Sequence, residues 1–171
     1  MSHKNRSDGK WLSVLLMLVA FSANAASATD DPVDFTLPQL GGGEISISDY
    51  LGGWVVVNYW ATWCAPCRKE MPELSQLHDE RDDITVLGLA FEDTDEEAFA
   101  AFLTEFHASY PVLLVDVYQP PEPFGAPKVL PTTIILNTEG RAVKTFLGPV
   151  TREVIERFVD AAGLQEESVD P

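Results

Sequence analysis

The residues best suited to chemistry are the only two cysteines of the 171-residue chain, Cys64 and Cys67. Two thiols separated by two residues can form a redox-active disulfide, half of a metal site or a local structural staple. A zinc site needs about four ligands, and His78 and His107 lie in separate predicted helices without finger-like spacing. A structural disulfide closing so short a loop would restrict the unfolded chain little. A redox pair is therefore the favoured interpretation.

The position of the pair supports this interpretation. The apolar, β-branched run WVVVNYW at 54–60 predicts a buried strand, and a helix is predicted from Cys64 to about Arg81, kinked at Pro72. Unpaired N–H groups and the dipole at a helix N-terminus favour an anion. Cys64 is therefore expected to be a partly ionised nucleophile, and Cys67, one turn inside the helix, the resolving thiol.

The surrounding elements alternate between strands and helices. A β-hairpin with a turn at 41–43 precedes the strand at 54–60, and a turn of helix capped near Ser48 and Asp49 joins them. Further elements are a strand at 84–91, a helix capped by Thr94 or Asp95, a strand at 111–116, a proline-rich segment at 117–130, a strand–turn–strand unit from Pro131 and a helix from Thr151 to Gly163. This order predicts an α/β fold whose central mixed sheet has helices on both faces and an N-terminal hairpin extension.

The N-terminal residues have the pattern of a secretory signal peptide. Three basic residues precede an apolar run, and an A-x-A site at 23–25 predicts cleavage before Ala26. The alternative is an uncleaved N-terminal anchor. The expected organisation is a signal peptide over 1–25, one domain over 30–164 and a polar, mobile tail over 165–171. Export would place the cysteines in an oxidising compartment, where disulfides persist.

The net charge of −16 argues against partners that are themselves negatively charged. Nucleic acids require a basic surface, and an anionic membrane surface also attracts basic proteins. Neither is therefore an expected partner of this chain.

Longer stretches resemble a known family. WCAPC, preceded by YWAT, resembles the thioredoxin superfamily, and the flanking RKEMPEL together with LPTTIILNTEGRAVKTFLG resembles the TlpA/ResA/CcmG (DsbE)-like exported thiol–disulfide oxidoreductases. The similarity covers essentially the whole predicted domain. It implies a thioredoxin-like fold in which Cys64 and Cys67 are the redox pair.

The resemblance also implies roles for other residues. Pro131 matches the cis-proline that faces the disulfide, and Leu130 would offer backbone groups to an extended substrate, with Trp63 at the rim of the site. Thioredoxins keep a buried aspartate where this chain has Asn58, whereas Glu70 lies one turn after Cys67. Glu70 is thus the candidate acceptor for the Cys67 proton, the alternative being an exposed helical acid. Arg68 and Lys69 are either supports for the thiolate or solvated side chains.

The expected activity is reduction of protein disulfides in the periplasm. Ala65 and Pro66 add no cation or hydrogen-bond donor that would stabilise the reduced pair, which favours a reductant. The resemblance implies a membrane thiol transporter of the DsbD/CcdA type as electron donor and apocytochrome c as one substrate. We also expect a monomer, no metal and no cofactor beyond the Cys64–Cys67 disulfide. Two alternatives remain: a non-enzymatic copper carrier, since Cu(I) suits two thiolates, and a thiol peroxidase of the peroxiredoxin type.

Overall fold

The structure, a computed structural model, describes residues 31–167 and the side chains as far as residue 164. The predicted signal peptide over 1–25 and residues 168–171 of the predicted tail lie outside the described residues. The elements are, in chain order, β1 (Thr36–Pro38), β2 (Glu44–Ser46), a 3₁₀ turn (Ile47–Tyr50), β3 (Trp54–Trp60), α1 (Ala65–Glu80), β4 (Ile84–Ala90), α2 (Glu96–Glu105), β5 (Val112–Leu114), β6 (Thr132–Leu136), β7 (Ala142–Leu147) and α3 (Arg152–Glu167).

The centre of the molecule is a five-stranded mixed sheet in the order β5-β4-β3-β6-β7. Strand β3 lies in the middle, parallel to β4 on one side and antiparallel to β6 on the other, and every one of its residues is buried. Strands β1 and β2 form a separate antiparallel hairpin. The predicted mixed sheet and N-terminal hairpin are therefore confirmed.

The two faces of the sheet are covered differently. Alternate residues of β3, such as Val56 and Trp60, contribute to a core that also contains Leu74 of α1, Phe99 of α2 and Ile155 of α3. We call this side the helix face. The α-helices share one face because β3, β4 and β5 follow one another in the same direction, and right-handed crossovers then place α1 and α2 on the same side.

The opposite face is covered by the hairpin, the 3₁₀ turn and the proline-rich segment. Val57 and Tyr59 of β3 lie in this second core with Ile47 of the 3₁₀ turn. Phe124 of the proline-rich segment makes an edge-to-face contact with Phe35 at 5.5 Å between ring centroids. Among the described residues, the predicted helix on this second face is therefore only the short 3₁₀ turn. The strand order decides on which face each crossover helix lies, and the sequence pattern did not reveal that order.

The helix boundaries follow the capping residues in most places. The Asp95 side chain accepts a hydrogen bond from the Ala98 N–H at 2.8 Å and begins α2, as predicted. The 3₁₀ turn begins after Ser46, whose N–H donates to Asp49 Oδ2, rather than at Ser48. The predicted end of α3 at Gly163 is wrong, because the helix continues to Glu167. A helix interior tolerates one glycine at a cost of about 1 kcal/mol.

Within the described ranges, no helix is both long enough and apolar enough to cross a membrane.

Candidate active site

The two cysteines lie at the junction of the central strand and the first helix. Cys64 is the N-cap residue of α1 and is bonded to Cys67 in a disulfide. The Cys67 N–H donates to Cys64 Sγ at 3.3 Å, and both residues are almost completely buried. A helix begins here because Pro66 suits the first turn, where its missing N–H costs nothing. The helix dipole therefore favours negative charge on Cys64 when the pair is reduced.

A carboxylate that pattern reasoning missed holds the loop before the nucleophile. Glu92 Oε2 accepts hydrogen bonds from the Thr62 N–H at 2.8 Å and the Thr62 hydroxyl at 2.7 Å. Glu92 comes two residues after β4 ends, next to the C-terminal end of β3, where Phe91 N–H donates to Trp60 O. A signal existed in the sequence, because the carboxyl ends of parallel strands meet at one edge of a sheet and commonly form the site.

Arg68 is anchored beside this loop. Its guanidinium donates to Thr62 O at 3.4 Å and lies 5.4 Å from the ring centroid of Phe106, a cation–π contact. The neighbouring Lys69 is exposed. Of the two basic residues that follow Cys67, only Arg68 is thus held against the loop that carries the nucleophile.

Glu70 is buried on α1, about one turn after Cys67. Its Oε1 accepts a hydrogen bond from Asn58 Nδ2 at 2.8 Å, and its Oε2 accepts one from the Val150 N–H at 3.2 Å. Burial raises the pKa of Glu70 to about 7, although the two hydrogen bonds oppose the change, and the nearby charge of Glu73 raises it further. A carboxyl group with this pKa can accept or return a proton near neutral pH. Its side chain is only 4% exposed, so it is not an ordinary surface acid.

Two of the residues expected to bind substrate, Trp63 and Leu130, line one groove. The Leu130–Pro131 peptide bond is cis, and Pro131 immediately precedes β6, whose Thr132 pairs with Tyr59 near the disulfide end of β3. A cavity of about 360 Å³ is lined by Trp63, Glu92, Lys128 and Leu130, among others. Trp63 is 65% exposed at its rim. The structure therefore brings Trp63 and Leu130 together in a groove that part of the proline-rich segment borders.

No group of three or more His, Cys, Asp or Glu side chains that could hold a metal ion occurs among the described residues. The His78 imidazole accepts a hydrogen bond from the Val86 N–H at 3.3 Å, which gives this residue a structural contact.

Comparison with known proteins places these features in a family. Residues 29–144 match the model of the AhpC/TSA family. The chain is 30% identical over 136 residues to the thiol-disulfide oxidoreductase ResA of Halalkalibacterium halodurans, covering 79% of this chain and 77% of the relative.

Two solved structures are similar throughout most of their length. One, assigned as the thiol:disulfide interchange protein DsbE of Chlorobium tepidum, has a TM-score of 0.69 and 27% identity, covering 78% of this chain and 95% of that one. The other is a secreted thiol-disulfide isomerase of Corynebacterium glutamicum, with a TM-score of 0.65 and 31% identity, covering 74% and 81%.

Proposed function

The chain belongs to the AhpC/TSA family and is a thiol–disulfide oxidoreductase of the ResA/DsbE type with a thioredoxin-like fold, and from this premise we propose that it reduces disulfides of exported proteins. The observation that carries the proposal is the buried Glu70 carboxyl, one turn of α1 after a cysteine pair at the helix N-terminus. In this proposal Cys64 is the nucleophile, Cys67 the resolving thiol and Glu70 the proton acceptor.

The reaction proceeds in two exchanges. The Cys64 thiolate attacks one sulfur of the substrate disulfide, which forms a mixed disulfide and releases the other substrate sulfur as a thiolate. Cys67 then transfers its proton to the Glu70 carboxylate and attacks the Cys64 sulfur. This step releases the second substrate thiolate and leaves Cys64 and Cys67 as a disulfide, so two electrons pass from the protein to the substrate. The substrate thiolates take their protons from water.

The first turn of α1 indicates the direction of electron flow. Pro66 has no N–H, and Ala65 contributes no side-chain donor, so the spacer adds nothing that would stabilise the Cys64 thiolate. A strong oxidant needs such stabilisation of its reduced form. The balance favours a reductant, which in an oxidising compartment requires a source of electrons. A membrane thiol transporter of the DsbD/CcdA type is the proposed donor.

The substrate is proposed to be an extended disulfide-bearing segment that lies in the groove between Trp63 and Leu130, against the cis-proline Pro131. The C-x-x-C-H haem-attachment segment of apocytochrome c has the required chemistry. We propose that the protein acts in the periplasm as a monomer, with residues 1–25 as its signal peptide, residues 30–164 as its domain and no cofactor beyond its own disulfide.

A trapping experiment tests the proposal. A Cys67→Ser variant expressed in its own cell should accumulate a mixed disulfide through Cys64, because resolution is blocked. The matched control carries Cys64→Ser as well and should trap nothing. Recovery of apocytochrome c with the single variant supports this substrate, whereas recovery of other exported proteins supports the reductase but not this partner. No trapped protein at all would contradict the proposed activity.

The redox direction has its own measurement. Equilibration with glutathione should give a reduction potential well below those of strong periplasmic oxidants, and a potential as high as theirs would reverse the proposed direction. Direct consumption of peroxide without an added thiol-reducing system would favour the peroxidase alternative. Tight stoichiometric Cu(I) binding with poor reductase activity would favour the copper carrier.

A further inference from the structure

Three buried polar atoms on the helix face have no hydrogen-bond partner among the described residues. They are Asn58 Oδ1, Trp60 Nε1 and the Tyr110 hydroxyl. Tyr110 is 3% exposed, and Asn58 and Trp60 are fully buried. A buried polar group without a partner costs roughly 1–3 kcal/mol, so three of them in one domain call for a physical explanation.

Gly88 of β4 shows that two of these side chains, Tyr110 and Trp60, lie close together. A Cβ at this position would lie 2.7 Å from Tyr110 Cε2 and 3.0 Å from Trp60 Nε1. The Tyr110 ring and the Trp60 indole therefore meet over the one residue of β4 that has no side chain. Asn58 is paired with Gly88 in the parallel register, so it belongs to the same layer of side chains.

The hydrogen bonds of Asn58 indicate where its free oxygen points. Asn58 Nδ2 donates to Glu70 Oε1 at 2.8 Å and to Thr133 Oγ1 at 3.0 Å. Thr133 belongs to β6, on one side of β3, whereas Gly88 belongs to β4, on the other. Since the two ends of an amide point apart, Oδ1 lies on the side of the amide away from Thr133 and Glu70. One acceptor, one donor and one hydroxyl without partners thus belong to the same layer of side chains.

We propose that Asn58 Oδ1, Trp60 Nε1 and the Tyr110 hydroxyl bind one internal water molecule, and that Tyr110 is a positioning residue acting on Glu70 through this water and Asn58. An internal water makes about three hydrogen bonds to otherwise unsatisfied buried groups. The Trp60 N–H donates to the water, and the water donates to Asn58 Oδ1 and to Tyr110, or accepts from Tyr110.

The consequence for Glu70 follows from cooperativity in hydrogen-bond chains. A water that donates to Asn58 Oδ1 polarises the amide and strengthens the bond from Nδ2 to Glu70. A stronger donor favours the carboxylate form of Glu70. This inference rests on the proposed role of Glu70 as proton acceptor. The ionisable groups that face Glu70 are Glu73 on α1, Tyr110 before β5 and, in the reduced protein, Cys67 one turn back; its other hydrogen bond comes from the Val150 N–H before α3.

The water itself is tested by NMR on the oxidised protein. The Trp60 indole N–H, assigned by its loss in Trp60→Phe, should show a direct cross-peak to a long-lived water molecule. Tyr110→Phe should weaken or abolish this cross-peak. Tyr59→Phe is the matched control, because its hydroxyl donates to Gly125 O on the opposite face of the sheet. A wild-type indole without a water cross-peak would overturn the proposal.

The coupling to Glu70 is tested by a carboxyl-carbon titration of the same variants. Tyr110→Phe should reduce the acid dissociation constant of Glu70 by about two- to fivefold, because the Asn58 donor becomes weaker. Tyr59→Phe should leave it unchanged, and equal titrations for the two variants would contradict the coupling. Failure of the proposed function is distinguishable from failure of the coupling between Tyr110 and Glu70. If Glu70→Gln resolves mixed disulfides at the wild-type rate, the catalytic role of Glu70 falls, while the titration still reports on Tyr110.

Discussion

Glu70 is buried in a place where its proton affects both stability and catalysis. Between pH 4.5 and about 7 the folded protein keeps this proton while the unfolded chain has already lost it, because burial raises the pKa of Glu70 only in the folded state. Unfolding then releases a proton, so the free energy of unfolding must fall as the pH rises through this window.

The first prediction concerns stability. Between pH 5 and pH 8 the free energy of unfolding of the oxidised protein should fall by about 2–3 kcal/mol more than that of Glu70→Gln, which has no carboxyl to titrate. Urea denaturation at several pH values measures the difference. Glu105→Gln, at an exposed position of α2, is the control and should keep the wild-type dependence. Parallel curves for wild type and Glu70→Gln would contradict the assigned proton.

The second prediction concerns the resolving step. Glu70→Gln should slow the release of substrate from the mixed disulfide on the order of a hundredfold, because Cys67 loses its local proton acceptor. The initial attack by Cys64 should remain close to wild type. Stopped-flow measurement of the two released thiols separates the steps. In the wild type the resolving rate should rise with pH through about 7, and an unchanged rate in the variant would show that another group accepts the proton.

At the residue scale, the sequence was informative where chemistry is local. The spacing of Cys64 and Cys67 and the one-turn separation of Glu70 are properties of a single helix, so they could be read directly. Glu92 and Tyr110 were missed because each contacts a residue far away in the chain. Glu92 is hydrogen-bonded to Thr62, and Tyr110 packs against Gly88. Only the pairing of strands brings those residues together.

The elements themselves were largely predictable. The strand at 54–60 and the helix that follows Cys64 have the expected bounds because apolar patterning and capping are local properties. The predicted helix end at Gly163 was wrong because a single glycine is a weak local stop signal, and the rest of the helix overrides it.

The third prediction compares two glycines in different elements. Gly88→Ala should destabilise the protein by about 1–3 kcal/mol, because the new Cβ would lie 2.7 Å from the buried Tyr110 ring. Gly163→Ala should stabilise it by about 0.5–1 kcal/mol, since no atom lies within 4 Å of the new methyl group and helical alanine is preferred. Thermal or urea denaturation of both variants decides the signs. If Gly88→Ala is as stable as Gly163→Ala, the Tyr110 ring is not held against this strand.

At the scale of the whole molecule, the net charge of −16 creates a field that approaching substrates must cross. Such a field accelerates the encounter with positively charged partners and slows the approach of negative ones, and salt screens both effects.

The fourth prediction follows from this field. A disulfide peptide with several lysines should be reduced at least about tenfold faster at low salt than an otherwise identical peptide with several glutamates. The difference should shrink strongly at 0.5 M salt, where charges are screened within a few ångströms. Stopped-flow reduction of the peptide pair at two salt concentrations measures the effect. Equal rates at low salt would show that local contacts in the Trp63–Leu130 groove outweigh the overall charge.

Taken alone, the sequence determined the redox pair, the order of strands and helices, and the family resemblance. These depend on local spacing, on apolar periodicity and on motifs that are contiguous in the chain. The tertiary structure decided that the three α-helices of residues 31–167 lie on one face, that Glu92 holds the loop before Cys64, and that Gly88 leaves room for the Tyr110 ring. The reason is physical: strand order, crossover direction and cross-strand register are properties of the assembled sheet, and no window of sequence contains them.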